Sequence, residues 1–326
     1  MNYWKNKTVL LTGGTGSFGQ KFTEIMLKKH KLKAIRIFSR DELKQYEMEK
    51  KFNGNPRLRF FIGDIRDINR LERAMDGADI VVHAAALKQV PSCEYNPFEA
   101  IKTNILGAEN VINAAIDHNI EKVMAISTDK AVNPVNLYGA TKMCMEKLFV
   151  AANSYVGARR KTKMSCVRYG NVVGSRGSVI PLFKKQCSSG TITITDRRMT
   201  RFWITLNQGI EFVVNCMEKM HGGEVFVPKC RSMKIVDLAK EMAMDCKIKY
   251  LGIRPGEKIH ECLLTEDESR HALGFKDFFV IVPEHPWWVY QNYKNGGKLP
   301  DGFRYASDSN TNWLSSKELH NMLKDS

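Results

Sequence analysis

The chain has 326 residues, 43% of them apolar, and 50 Lys and Arg against 35 Asp and Glu, a formal charge of +15. At about 100–200 residues per domain this is one large domain or two smaller ones, with ample apolar content for a packed core. No stretch reaches the roughly 18 apolar residues a bilayer span needs, and the eight cysteines, none in a CxxC pair, read as reduced buried thiols rather than a disulfide framework.

The chain opens MNYWKNKTVLLTGG, where the apolar run meets glycines before any signal-peptide h-region can form. A cytoplasmic protein is expected, with no membrane partner. Basic residues are scattered, and clusters such as Arg159-Arg160-Lys161 and Lys28-Lys29 are short. The positive excess therefore reads as a solvated surface plus some phosphate-binding arginines, and no nucleic-acid motif accompanies it.

In chain order, 7–12 reads as a strand, 17–29 as a helix, and 34–39, 58–64, 79–85 and 122–128 as further strands. Helical patterns fill the gaps, notably 97–119 and 138–155, and 163–172 is a sixth strand. Strands alternating with helices predict an α/β fold, a doubly wound parallel sheet of the Rossmann type. The second half is less regular. The stretches 175–200 and 254–257 and the tail from 283 are rich in Gly, Pro, Ser and charge, while 202–220 looks helical and returns to the first domain. The expected organisation is a dinucleotide-binding domain over 1–170, with 202–228 returning to it. A smaller, discontinuous substrate-binding domain is expected over 171–201 and 229–326.

After the first strand comes Thr12-Gly13-Gly14-Thr15-Gly16-Ser17-Phe18-Gly19. Gly13, Gly16 and Gly19 between a strand and a helix allow a tight turn and close approach to a pyrophosphate, which then sits on the helix N-terminus. The second strand ends in Ser39-Arg40-Asp41-Glu42-Leu43-Lys44. An NAD enzyme would place an acid there for the ribose 2′-OH. Arg40 can instead stack on adenine and fork onto a 2′-phosphate, with Lys44 one turn further, which favours NADP. Asp64-Ile65 ends the third strand, where a carboxylate can accept from the adenine amine. Small residues at Ala84, Ala85 and Ala86 let the dinucleotide pass, and Lys88 follows.

The fifth strand ends in Ser127-Thr128-Asp129-Lys130, and Tyr138 and Lys142 follow with Tyr-x-x-x-Lys spacing. On a helix that spacing puts both side chains on one face. The ammonium favours phenolate, giving a base for a sugar hydroxyl. Asp129 and Lys130, as neighbours on an extended segment, are expected to point apart and to face one substrate as acid and base.

In order, TGGTGSFG, SRDELKQ, HAAALKQVPSCEYNP, STDKAVNPVNLYGATK, RYGNVVGSRGSVIP, RMTRFWIT and IRPGEKIHE resemble the inverting UDP-N-acetylglucosamine 4,6-dehydratases. These belong to the extended short-chain dehydrogenase/reductase superfamily, and the similarity spans about residues 7 to 313. STDK separates this group from relatives with an acidic pair there. The resemblance implies a soluble enzyme making UDP-2-acetamido-2,6-dideoxy-β-L-arabino-hex-4-ulose for pseudaminic acid or related glycan sugars, acting as a dimer or an assembly of dimers. Membrane-bound relatives carry helices ahead of the glycine loop, where this chain has only about a dozen residues. It implies NADP contacts at Thr15, Gly16, Ser17, Phe18, Ser39 to Lys44, Asp64, Ile65, Ala84, Lys88, Tyr138, Lys142 and Val172. It implies catalytic roles for Lys130 and Asp129, with Thr128 before them. Substrate contacts are implied at Lys88, Asn171, Ser175, Arg176, Gly177, Ser178, Arg201, Arg254 and Glu257, the arginines suiting a UDP diphosphate. Gln89 and Ser92-Cys93 depart from the imidazole and small apolar residues expected after the fourth strand, a segment placed to line the sugar pocket.

The expected mechanism has Tyr138 take the 4-OH proton, a neutral Lys130 remove the C5 proton, and a protonated Asp129 release the 6-hydroxyl as water. It asks for a depressed Lys130 pKa and a raised Asp129 pKa. No metal is required. The alternatives are another UDP-sugar dehydratase or epimerase and a non-catalytic NADP-binding protein. Trp287, Trp288 and Tyr290 in the tail are expected in the core or an interface.

Overall fold

The computed structural model describes residues 3–157, 160–174, 179–242, 246–284, 293 and 295–324. Strand and helix alternate from the start: β1 (Thr8–Thr12), α1 (Ser17–Lys29), β2 (Ala34–Ser39), α2 (Glu42–Lys51), β3 (Leu58–Ile62), α3 (Ile68–Met75) and β4 (Ile80–His83). Then come α4 (Val90–Tyr95), α5 (Pro97–Ile101), a π-helical turn at Lys102–Leu106, and α6 (Gly107–Asp117). β5 (Lys122–Ile126) runs into a 3₁₀ turn at Asp129–Ala131, followed by α7 (Leu137–Ala152) and β6 (Lys163–Val167). β1 and β4 are buried along their whole length, as parallel strands covered on both faces must be.

Beyond β6 lie β7 (Asn171–Val172), α8 (Val179–Cys187), β8 (Thr191–Ile194), β9 (Thr200–Ile204), α9 (Leu206–Lys219), β10 (Val225–Pro228) and β11 (Arg231–Lys234). They are followed by α10 (Ile235–Met242), β12 (Lys247–Tyr250), β13 (Cys262–Leu264), α11 (Glu266–Ser269), β14 (Ala272–Gly274) and β15 (Phe278–Ile281). β16 (Gly297–Lys298), β17 (Tyr305–Ala306) and α12 (Ser316–Lys324) complete the described chain.

Ten strands form one sheet in the order β16-β14-β15-β10-β6-β5-β4-β1-β2-β3. From β3 to β10 the pairing is parallel, and β15, β14 and β16 extend it antiparallel. The strand order reverses between β1 and β4, the crevice where open α/β sheets bind ligands. Here Thr12 Oγ1 lies 2.8 Å from His83 Nδ1 and accepts from Ala85 N at 3.3 Å, tying the two strand ends together. Three small sheets, β11-β9-β7, β12-β8 and β13-β17, lie outside it. Part of this region closes over its own core of Ile180, Phe183, Ile192, Trp203, Leu238 and Leu319. The stretch 229–326 thus contributes to both the large sheet and the small ones.

Two expected elements differ. The stretch 202–220 begins as strand: the aromatic and β-branched run of β9 is buried throughout and pairs with β11 and β7. Thr205 then starts α9 with a capping box, its Oγ1 accepting from Gln208 N while Gln208 Oε1 accepts from Thr205 N. The expected strand 163–172 breaks after Val167, and Asn171–Val172 pairs with β9 in another sheet. At the break, Arg168 donates to both Glu146 oxygens at 3.0 and 2.6 Å, to both Glu268 oxygens at 3.0 and 2.9 Å and to Leu263 O at 3.0 Å. This buried cluster joins α7, β13 and α11 to the large sheet. Among the described residues no helix is long and apolar enough to cross a membrane.

Candidate active site

The glycine loop folds as a cradle. Gly13 has φ +66°, and a Cβ on it would stand 2.8 Å from Ala85 N and Cα. A Cβ on Gly19 would stand 2.2 Å from Gly14 O, so α1 packs directly on the turn. Beside the loop lies a cavity of about 490 Å³, lined by Gly13, Thr15, Ser39, Arg40, Lys44 and Asp64 among others. Ile65 and Asp41 also line it, whereas Gly16, Ser17, Phe18, Gly19, Glu42, Leu43, Ala84 and Lys88 do not. Leu43 is 65% exposed, and Phe18 stacks on Phe22. Glycines held this close to a neighbouring strand, opening onto a helix N-terminus, fit a dinucleotide pyrophosphate.

At the mouth of the cavity, Asp41 caps α2 by accepting from Lys44 N at 3.0 Å and also pairs with Lys44 Nζ. The guanidinium of Arg40 lies 3.6 Å from Asp64 and is half exposed. Asp64 is held by Arg66, which donates to it from Nε, Nη2 and the backbone. Burial pushes the Asp64 carboxyl up, but the Arg66 hydrogen bonds and the Arg40 charge bring it below its ordinary range. One wall residue carried no sequence signal. Thr103, on the π-helical turn, is buried with Oγ1 unpartnered, and π turns recur at functional sites. The next residue, Asn104, clamps the loop after β4 by bonding both Leu87 N and Leu87 O.

The second cluster forms where β5 ends. Thr128 caps the 3₁₀ turn, accepting from Lys130 N at 3.4 Å. The turn bends the chain so that Lys130 Nζ donates to Asp129 Oδ1 at 3.0 Å, joined there by Thr128 Oγ1 at 2.9 Å. The expectation that Asp129 and Lys130 point apart is therefore corrected: it assumed an extended segment, and the capped turn removes that geometry. A Cβ on Gly139 would stand 2.2 Å from Lys130 O, so the glycine after Tyr138 lets α7 seat against the turn. Asn136 caps α7, accepting from Gly139 N, and donates to Gly256 O at 2.8 Å. That bond brings the PGEK loop over the site.

Tyr138 and Lys142 occupy successive turns of α7, both buried. Burial pushes the Tyr138 phenol up to about 12, against the pull of the Lys130 ammonium and a hydrogen bond with Thr128, so the expected phenolate is corrected: burial outweighs the neighbouring ammonium. Burial lowers Lys142 to about 8, and its Nζ donates to Ile126 O at 2.6 Å. For Lys130, burial works against the charge, but the Asp129 and Glu261 carboxylates outweigh it and raise the pKa. The depressed Lys130 pKa expected from the sequence is thus reversed in this arrangement, because the expectation turned Asp129 away from the lysine and left Glu261 out. Burial lowers the Lys88 pKa, helped by the Lys130 charge nearby.

Glu261 was not singled out by sequence, although it ends the IRPGEKIHE motif. Its carboxylate is buried, with Lys130 Nζ at 3.9 Å, Arg201 Nε at 3.7 Å and Lys258 Nζ at 3.8 Å. Arg201 points its other nitrogens at backbone: Nη1 donates to Thr200 O and Ile259 O, and Nη2 to Lys258 O. Those bonds fasten β9 to the 254–261 segment. Arg254 is half exposed, 4.0 Å from Glu257, and Asn171 and Val172 form β7 beside β9. Ser175, Arg176, Gly177 and Ser178, like Trp287, Trp288 and Tyr290, lie outside the described residues.

The family described as "Polysaccharide biosynthesis protein" matches residues 9–283. The chain is 51% identical to the UDP-N-acetylglucosamine 4,6-dehydratase (inverting) of Campylobacter jejuni subsp. jejuni serotype O:2, over 97% of each chain. It is 43% identical to the UDP-glucose 4-epimerase of Rickettsia conorii, over 98% of this chain and 95% of that one. Among solved structures, Pen from Bacillus thuringiensis superposes with a TM-score of 0.91 at 40% identity, covering 99% of this chain and 98% of that one.

Proposed function

We propose a function from one established premise: the chain belongs to the polysaccharide biosynthesis protein family. It is a UDP-N-acetylglucosamine 4,6-dehydratase that uses NADP and inverts C5. The observation that carries this reading is the Asp129–Lys130 pair, hydrogen-bonded at 3.0 Å with Tyr138 close enough to feel the Lys130 charge. Removing water across C5 and C6 needs an acid and a base at those carbons, whereas 4-epimerisation needs neither. The 51% identity to a protein named for this reaction supports it.

The bound nicotinamide supplies a hydride acceptor for C4 and a hydride donor for C6. Gly13, Thr15 and the α1 N-terminus hold its pyrophosphate, and Arg40 at the half-exposed mouth takes the 2′-phosphate. Tyr138 accepts the 4-OH proton as phenolate, a form that the positive charge of an oxidised nicotinamide would favour against the burial that holds the phenol up. Lys130 is an ammonium at rest, held so by its carboxylates. Once the bound sugar shuts water out, the charged pair loses its solvation and the proton crosses to Asp129 along their hydrogen bond, leaving a neutral amine beside a protonated acid. The amine then takes the C5 proton, and Asp129 protonates the departing 6-hydroxyl. Tyr138 returns its proton to C5 from the opposite face, inverting that carbon. Lys88, Asn171, Arg176, Arg254 and Glu257 are assigned to the UDP-sugar.

A second reading, a UDP-glucose 4-epimerase, is favoured by the name of the Rickettsia relative. Incubating the protein separately with UDP-N-acetylglucosamine and UDP-glucose, with mass-spectrometric readout, separates the two. Loss of one water from the first sugar alone supports the dehydratase. An isobaric C4 epimer of either sugar, without water loss, supports the epimerase. Dinucleotide released by denaturation should carry a 2′-phosphate, and NAD in its place would overturn the role given to Arg40.

A further inference from the structure

We infer that Glu261 is a positioning residue that acts through Lys130, its carboxylate anchoring the lysine amine so that the nitrogen lone pair faces the substrate carbon. The inference rests on the dehydratase reading and deepens it.

Three observations carry it. Glu261 is fixed by its backbone: Glu261 N donates to Ser307 Oγ at 2.9 Å, and Ser307 N donates to Glu261 O at 2.8 Å. Its position immediately before β13 adds to this, so the side chain projects from a rigid strand end. Second, the carboxylate is 3% exposed and Oε2 has no hydrogen-bond partner. The oxygen nearest Lys130 is Oε1, while Oε2 faces Lys258. Third, three cationic nitrogens stand at 3.7 to 3.9 Å, just beyond hydrogen-bond reach. All three hold another bond: Arg201 through Nη1 and Nη2 to backbone carbonyls, Lys258 Nζ to Val132 O, and Lys130 Nζ to Asp129 Oδ1. Lys130 is the one of the three that also holds Asp129, so its amine stands between the two carboxylates.

The chemistry gives that closure a purpose. While Lys130 is an ammonium, Asp129 holds it. Once the proton has crossed to Asp129, the neutral amine has two N–H bonds and one lone pair. With Asp129 as its only neighbour, the lone pair would turn back to the new O–H. An N–H donated to Glu261 gives the amine a second fixed direction and swings the lone pair toward C5–H. The amine then takes the proton, the C–H electron pair moves onto the carbon beside the ketone, and Nζ becomes an ammonium held by Glu261, while Asp129 gives its proton to the departing 6-hydroxyl and returns to the carboxylate. A lysine side chain has several rotatable bonds, and fixing its end in a near-attack geometry is a recognised source of rate.

The test is kinetic, on full-length protein with its own cofactor, comparing wild type, Glu261→Gln and Glu261→Asp. Glu261→Gln keeps the shape and a weaker acceptor, and should lower kcat about 10–100-fold while leaving KM and the affinity for UDP within about threefold. The isotope effect with UDP-N-acetylglucosamine deuterated at C5 should rise, because proton removal from C5 becomes slower relative to the other steps. Glu261→Asp keeps the charge and should recover part of the loss. Unchanged kcat and isotope effect in Glu261→Gln would overturn the inference. So would a fall in UDP affinity that matches the fall in kcat with no change in isotope effect, since that is what a brace for Arg201 and Lys258 would give. Failure of the wild type to release water from this sugar would instead bring down the dehydratase reading itself.

Discussion

Among the described residues, the buried ion clusters around Arg168 and Lys130 are built to different standards. Around Arg168 every contact is closed: five hydrogen bonds of 2.6 to 3.0 Å reach Glu146, Glu268 and Leu263 O. Around Lys130 one bond is closed, at 3.0 Å to Asp129, and the Glu261 carboxylate is left 3.7 to 3.9 Å from its cations. Asp129 Oδ2 and Glu261 Oε2 have no hydrogen-bond partner, whereas no polar side-chain atom of the Arg168 cluster is left unpaired. Two charge clusters of similar depth thus serve different ends. A fully satisfied network fixes elements together, and an incompletely satisfied one keeps donors and acceptors for a substrate.

The contrast can be broken most sharply by exchanging the expected losses. Lys130→Ala should cost turnover about 10⁴-fold, the upper range for a general base, while the dinucleotide stays bound and the protein stays folded. Substantial turnover in this variant would remove the lysine from the mechanism. Glu146→Ala should do the opposite, destabilising the fold by about 3–5 kcal/mol in chemical denaturation because the buried Arg168 loses a carboxylate, with near-normal turnover per folded molecule. Equal losses of stability in the two variants would erase the distinction.

His83 sharpens the contrast from a third position, as a buried imidazole with no carboxylate partner. Burial, with the Lys142 charge, lowers its pKa from 6.5 to about 3. The unfolded chain therefore binds the proton first, and stability falls as pH drops below 6.5, levelling off below about 3. The cost is about 1.4 kcal/mol per pH unit, or about 2 kcal/mol by pH 5. His83→Gln should flatten this limb in melting curves taken from pH 7 to 5, and an unchanged slope would contradict it. The smallest effect is expected outside both clusters. Thr205→Ala, which removes the α9 cap, should cost about 1 kcal/mol with turnover unchanged.

Most of the large sheet was legible because apolar runs and glycine-bearing loops alternate with little ambiguity. The misread stretch 202–220 failed for a local reason: the apolar run of β9 flows into α9, and only the Thr205–Gln208 box marks the boundary. In the candidate site, the shared face of Tyr138 and Lys142 follows from helical spacing, and their place after the fifth strand of a dinucleotide fold singled them out. The Asp129–Lys130 contact does not, because it depends on a capped 3₁₀ turn that a strand-end reading cannot anticipate. Glu261 was hidden for another reason. It reaches Lys130 only because β13 is pinned to β17 far along the chain, and a glutamate at the end of a motif carries no mark of burial.

The account stands most directly on proton NMR of the protein with UDP-N-acetylglucosamine in D₂O, without added cofactor. It predicts a new C6 methyl signal, deuterium at C5 and the ring couplings of the L-arabino product, with Lys130→Ala silent. A methyl signal with D-xylo couplings would contradict the assignment of Lys130 and Tyr138 to opposite faces of C5. A spectrum in which only C4 changes would contradict dehydration itself.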